Sequence, residues 1–350
     1  MSDRPPRRPV LRSQEEARAG RFVEDRELAA ALERGLPTPV RILARRESPY
    51  ASSFPLAELD VEAGDGARMT VVWKDLTPSS LLPGARAARG GRAISDPTRE
   101  LRAYELLDGA DLGTPRRIAA VEEPDRVWLF LEAVRGARLE HVGDLATWAA
   151  VARWLAGAHT ELTARVDALP VAGDAPDAPA WPPASVLTDP TTLLVRTAER
   201  GDPPQRLRRV EALAGPLELA AARAATAPPT VIHGELYAAN VLIESGPPAH
   251  PPTTRVCVLD WETIARGPAL LDLAALTAGG WDLPGDPLAE AYRDALPDPP
   301  MLDAFQADLD AARLLTAAHW LAPPAGWTPP PEQARDWLCD AEAIVGRLQA

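Results

Sequence analysis

The sequence predicts an α+β chain in two parts, a small antiparallel sheet followed by a mostly helical region. Three observations carry this reading: short alternating runs separated by turn residues up to residue 132, the fading of strand signals after Gly136, and long stretches of helical spacing beyond it. At 350 residues the chain exceeds one average domain yet is short for three. The expected organisation is an N-terminal arm and helix over 1–38, a sheet lobe over 39–134 and a helical lobe over 135–350.

The elements follow in order. Residues 1–14 read as an arm, and Gln14–Arg34 has helical spacing through Ala17, Phe22, Leu28 and Leu32. Val40–Leu43, Leu56–Val61 and Met69–Lys74 read as strands, the last two joined by the turn Gly64-Asp65-Gly66. After a Gly- and Pro-punctuated connection, Asp96 can cap a helix carrying Leu101, Tyr104 and Leu107 on one side. Arg117–Val121 and Arg126–Glu132 complete the sheet. Asp144–Leu162 is then a long amphipathic helix, with His159 on its apolar face as a core residue. Pro170–Pro190 is expected to be a loop or lid, and helices over Gln205–Ala225 and Pro287–Ala350 finish the chain.

Charge and composition exclude several classes. A net charge of -13 argues against a nucleic-acid partner, because phosphate backbones select clustered Lys and Arg. The acidic surplus falls almost wholly after residue 134, where it would suit a cationic acceptor or simply confer solubility. No run of about 18 apolar residues is present, so no membrane partner is expected and the cytoplasm is the expected location. Cys257 and Cys339 lack metal-ligand spacing and read as buried, reduced thiols. The chain holds one lysine, Lys74, and one asparagine, Asn240. In a sequence saturated with Ala, Arg, Pro and Gly, such lone survivors mark positions where no substitute works.

The chemistry concentrates in Val231–Ile243, where two apolar runs bracket the octet His233 to Asn240. A further apolar run, Val256–Leu259, ends at Asp260-Trp261-Glu262 and aims a carboxylate out of a strand end. One carboxylate plus one amide oxygen can hold a magnesium ion while leaving room for phosphates and water, which assigns Asp260 and Asn240 as metal ligands. Glu235, the carboxylate inside the octet, is placed to orient an acceptor hydroxyl and take its proton. Lys74 and Glu100 have the order and setting of a lysine and a helical glutamate that grip nucleotide phosphates.

At these residues the sequence resembles the aminoglycoside phosphotransferase and choline-kinase-like superfamily. Its loop usually reads His-Gly-Asp, four residues, then Asn, with Asp-Trp or Asp-Phe downstream. The likeness spans Val40 to Ala278 and includes Gly267-Pro268 and Asp272-Leu273-Ala274. It implies a two-lobed protein-kinase-like fold, with ATP and Mg2+ as cofactors and transfer of the γ-phosphoryl group to the hydroxyl of a small molecule such as an antibiotic, sugar or metabolite. It also implies that residues 39–134 bind the nucleotide, that Glu132 and Val134 offer backbone groups to adenine, that Asp272 anchors the catalytic loop, and that Glu100 rather than Glu105 partners Lys74.

Two departures are specific. Glu235 stands where the family most often has Asp, and its extra methylene extends the carboxylate by about 1.5 Å. The loop Glu47–Ser53 contains no glycine, so Ser48, Ser52 and Ser53 are the groups expected to meet phosphates. Trp181 and Trp281 are candidate acceptor-pocket residues. Two other classes stay open, a peptide Ser/Thr kinase of natural-product maturation and a nucleotide-binding pseudokinase.

Overall fold

The computed structural model describes residues 23–49, 53–83, 85, 98–169, 195, 197–198, 201–245, 254–278, 285–321 and 335–349. The chain is α+β and divides into two compact units: residues 1–92 with 117–132, and residues 93–116 with 133–350.

The first unit is built on five antiparallel strands, β1 (Val40–Glu47), β2 (Leu56–Ala63), β3 (Arg68–Asp75), β4 (Arg117–Glu123) and β5 (Arg126–Glu132), in the order β1-β2-β3-β5-β4. Strand β2 alternates strictly, burying Ala57, Leu59, Val61 and Ala63 on one face. Helix α1 (Asp25–Leu32) buries Leu28, Ala31 and Leu32 in the same core. The β3 residues Val71 and Trp73 point inward with Trp128 and Phe130 of β5, and the Trp73 and Trp128 rings meet edge to face at 5.7 Å. Lys74 therefore falls on the opposite face of the central strand. Its neighbour Asp75 pins the strand end: the carboxylate accepts from Thr77 N and Ser80 Oγ, and Thr77 Oγ1 accepts from Val127 N.

The second unit opens with α2 (Arg99–Leu107) and carries two small ladders. In one, β6 (Ala137–Arg138), β8 (Val241–Ser245) and β9 (Thr254–Val258) lie in the order β6-β8-β9; in the other, β7 (Pro229–Ile232) pairs with β10 (Ala265–Pro268). Around them lie α3 (Leu145–Thr163), α4 (Pro204–Glu211), α5 (Ala214–Thr226), α6 (Leu270–Thr277), α7 (Gly285–Asp294), α8 (Leu302–Leu321) and α9 (Trp337–Leu348). Asp144 caps α3, its carboxylate accepting from Ala146 N and Thr147 N, which satisfies two of the orphan donors of the first turn.

The stretch Gln205–Ala225 divides into two helices, because Pro216 cannot sit in a helix interior without losing a hydrogen bond and clashing with Ala212; it is accommodated in the first turn of α5. Among the described residues the stretch Pro287–Ala350 holds three helices, with Pro297, Pro299 and Pro300 between α7 and α8. Cys257 is fully buried, but Cys339 is exposed on α9, where its N–H donates to the cap residue Asp336. The arm, the Asp96 cap, Ser52, the Pro170–Pro190 loop, Trp181 and Trp281 lie outside the described residues. No described helix is long and apolar enough to cross a membrane.

Candidate active site

The octet connects β7 to β8. Its first residues are held by Asp272, a carboxylate only 2% exposed on α6: Oδ2 accepts from His233 N at 2.7 Å and Oδ1 from Gly234 N at 2.9 Å. His159 of α3 approaches the same carboxylate, Nε2 to Oδ2 at 3.2 Å, while its Nδ1 lies 2.9 Å from the Tyr292 hydroxyl. With its proton on Nε2 the ring donates to the carboxylate and accepts the Tyr292 O–H. Burial, reinforced by the Asp272 charge, pushes the Tyr292 hydroxyl well above its ordinary range, so it stays a donor. His159 is a core residue, as its spacing suggests, and also a member of this polar network, which spans 133 positions of sequence and gives no local signal.

The His233 ring is fixed the same way. Its Nε2 lies 2.8 Å from the Leu259 carbonyl, which can only accept, and its Nδ1 accepts Glu235 N at 3.3 Å. The ring packs against Trp261 at 4.8 Å. Both nitrogens are thereby engaged in shaping the loop. Gly234 adopts φ +86°, and a Cβ there would come within 2.6 Å of the Thr263 carbonyl. We expect Gly234→Ala to cost at least about 2 kcal/mol, from left-handed backbone strain and the contact together, read as a lowered urea midpoint at unchanged m.

Downstream, the loop closes on itself. The Asn240 carboxamide nitrogen donates to the Glu235 carbonyl at 2.9 Å, which fixes the orientation of the amide and of its Oδ1. The Asn240 carbonyl accepts from Leu259 N at 2.8 Å, and Val241 pairs with Val258. Adjacent strands thus deliver Asn240 and Asp260 side by side. Asp260 is the one non-glycine residue with positive φ among the described residues, at φ 63° and ψ 58°. Such strained conformations cluster where side-chain aim matters.

Helix α2 packs on the turn Trp261–Thr263 that follows Asp260. Glu100 faces inward and is 2% exposed, whereas Glu105 pairs with Arg102 on the outer face. Glu100, Glu235, Asn240 and Asp260 all lie in the second unit, as does Val134, half-buried just beyond β5. In the first unit, Lys74 is half-buried on β3 and pairs in register with Leu56 and Leu129. Ser48 N donates to the Leu56 carbonyl, so Ser48 and Lys74 flank the same β2 residue. The Ser53 carbonyl accepts from Leu82 N, and Glu132 pairs with Val71 at the end of β5.

Beside Glu235 a cleft is lined by Arg99, Tyr237, Thr263, Thr316 and His319 over an apolar floor that includes Leu271 and Leu315. Sequence reasoning missed these residues, since they come from five separate stretches of chain. Only Tyr237, inside the octet, had a local signal. Its hydroxyl accepts the Trp320 indole N–H at 3.0 Å. Burial, and then the Glu235 charge, hold that hydroxyl far above its ordinary range, so it remains protonated.

An α+β chain whose strand ends join a buried-carboxylate-anchored loop to a second acidic strand end has the form of a kinase-type phosphotransferase. The sequence profile of the APH phosphotransferase enzyme family matches residues 61–315, and the chain belongs to that family. A comparison with curated proteins finds no match. Among solved structures, a protein from Ralstonia eutropha JMP134 described as a candidate aminoglycoside phosphotransferase shares 16% identity, covering 92% of this chain and 96% of its own, at a TM-score of 0.56. A spectinomycin phosphotransferase solved with ADP and spectinomycin shares 12%, covering 94% and 99%, at 0.55. An ethanolamine kinase from Plasmodium vivax shares 10%, covering 88% and 82%, at 0.51. At these identities the likeness is one of fold.

Proposed function

We propose that this phosphotransferase moves the γ-phosphoryl group of ATP, with Mg2+, to a hydroxyl of a small molecule. The observation that carries the proposal is the joint placement of Glu235, Asn240 and Asp260 on one anchored loop and the strand end beside it. The donor set suits magnesium, which takes one or two protein oxygens and completes its shell with phosphate oxygens and water. Among the described residues no three His, Cys, Asp or Glu side chains form an all-protein cage, and magnesium of this kind needs none. Asp260 and the Asn240 Oδ1 would hold the ion, and the bound ion would neutralise charge developing on the phosphates. Lys74, with Ser48, Ser52, Ser53 and the backbone at Glu132 and Val134, is assigned to the nucleotide, and Glu100 to the same phosphate-positioning task. The spectinomycin enzyme of the same fold was solved with ADP, which supports a nucleotide donor.

Glu235 is the acceptor base. The acceptor O–H bond breaks as its oxygen bonds to the γ-phosphorus, the proton passes to the Glu235 carboxylate, and the bond from the γ-phosphorus to the bridging oxygen breaks to release ADP. The cytoplasm, where ATP is supplied, is the proposed location. The test is ATP consumption against a panel of hydroxylated metabolites and antibiotics, with product detected by 31P NMR. Glu235→Gln is expected to keep ATP binding and lose about 10²–10⁴-fold in transfer rate. A Glu235→Gln rate within threefold of wild type would remove Glu235 from the chemistry. ATP binding without transfer to any acceptor would favour the pseudokinase reading.

A further inference from the structure

The surface of the cleft beside Glu235 is mostly carbon. Ile232 and Ala265 are cross-strand partners on β7 and β10, so they face the cleft together. Leu271 and Ala275 stand one turn apart on α6, and Leu315 comes from α8, which packs on α6. All five are at most 6% exposed. Water barely reaches them, so the slot is narrow and suits a slim chain better than a broad ring system. The polar side chains of the lining are engaged within the protein. Thr263 Oγ1 donates to the His233 carbonyl, Thr316 Oγ1 to the Ala312 carbonyl of its own helix, and the Tyr237 hydroxyl accepts the Trp320 indole N–H. Arg99, Glu235 and His319 have protein partners as well. What the cleft offers the body of a ligand is therefore aliphatic surface.

Resting on the reading of Glu235 as acceptor base, we propose that the acceptor is an alcohol with a slim aliphatic body, seated against Ile232, Ala265, Leu271, Ala275 and Leu315 with its hydroxyl at Glu235. Such a ligand asks for one polar partner. A carboxylate has about four acceptor sites, so Glu235 can keep its protein partner and still receive one hydroxyl. The O–H bond breaks to Glu235 as the alcohol oxygen bonds to the γ-phosphorus and ADP leaves, giving an alkyl phosphate. A polyol or an amino sugar fits the same walls poorly, because each further hydroxyl or ammonium group it buries must displace a bond the lining already makes or go without a partner.

The experiment measures phosphorylation by the full chain, with Mg-ATP, of the straight-chain alcohols from ethanol to 1-octanol, and of sorbitol, glucose and kanamycin. The acceptor kcat/KM is expected to rise about fourfold per methylene until the slot is filled, the factor for burying one CH2 group. 1-Hexanol is expected to exceed sorbitol, which has the same carbon count, by at least about 100-fold. Ala275→Val is expected to end the rise about two carbons earlier, matching the two methyl groups it adds, and Leu315→Ala to extend it by about three. Loss of folded protein lowers every rate together and cannot move the chain length at which the rise stops. A flat chain-length series, an endpoint unmoved in both variants, or sorbitol, glucose or kanamycin turning over faster than 1-hexanol overturns the inference and leaves the transfer reading standing. Saturation-transfer NMR with 1-hexanol decides the case in which nothing is phosphorylated. Binding that Ala275→Val weakens about fourfold or more keeps the aliphatic site and removes the transfer reading. Binding that the variant leaves unchanged puts the alcohol elsewhere and overturns the inference, and no binding at all removes both.

Discussion

Replacing Asp272 by alanine is expected to destabilise the second unit by about 4–5 kcal/mol, a large fraction of the roughly 5–15 kcal/mol that holds a folded domain together. The carboxylate is 2% exposed and receives three donors, from His233 N, Gly234 N and His159 Nε2. Alanine leaves all three desolvated without an acceptor, at about 1–3 kcal/mol each before relaxation. The Tyr292 hydroxyl loses its purpose as well, since the imidazole it bonds is no longer oriented. Asparagine is not a rescue, because its amide nitrogen would present hydrogens to one of these donors. The measurement is urea unfolding of wild type, Asp272→Ala and Asp272→Asn. A loss below about 1 kcal/mol in both variants would show that the anchoring network contributes little.

Asp260→Asn is expected to lower kcat by about 1000-fold while changing stability by less than about 1 kcal/mol. The prediction depends on the backbone as much as on the charge. Asparagine is among the few residues that accept the left-handed conformation seen at φ 63°, so the turn should persist. The carboxamide retains an oxygen but gives up the negative charge that would bind magnesium, and about 4 kcal/mol of lost transition-state stabilisation corresponds to three decades in rate. Steady-state kinetics at saturating ATP and magnesium, paired with a thermal melt, check both halves. A decrease of less than tenfold would remove Asp260 from metal binding.

Much of this molecule was legible where the determining signal is local. The alternation through Leu59 and Val61 marked β2, because burial on one face of a pleated sheet repeats every second residue, and the continuous apolar run Val127–Leu131 marked β5, where every one of those five residues is buried. The octet was legible because its members are contiguous, and Asp260 because it ends an apolar run. What was hidden is what the fold brings together from afar. Nothing near His159 in sequence announces Asp272, 113 positions away. Nothing around Arg99 announces a cleft shared with His319. Where α4 ends and α5 begins went unmarked, although Pro216 stands in the middle of the stretch.

The left-handed turn at Asp260 also sets how this position can drift under mutation. Under the proposed metal-binding role two filters act there at once, the observed left-handed conformation and the negative charge that role requires. Glycine and asparagine pass the first, since both tolerate positive φ, yet neither carries a negative charge. Glutamate passes the second, yet its longer side chain lacks the local hydrogen bonding that lets aspartate and asparagine visit this region. Aspartate alone clears both, so random substitution at this codon is expected to yield folded, inactive chains through Asn or Gly more often than weakly active ones.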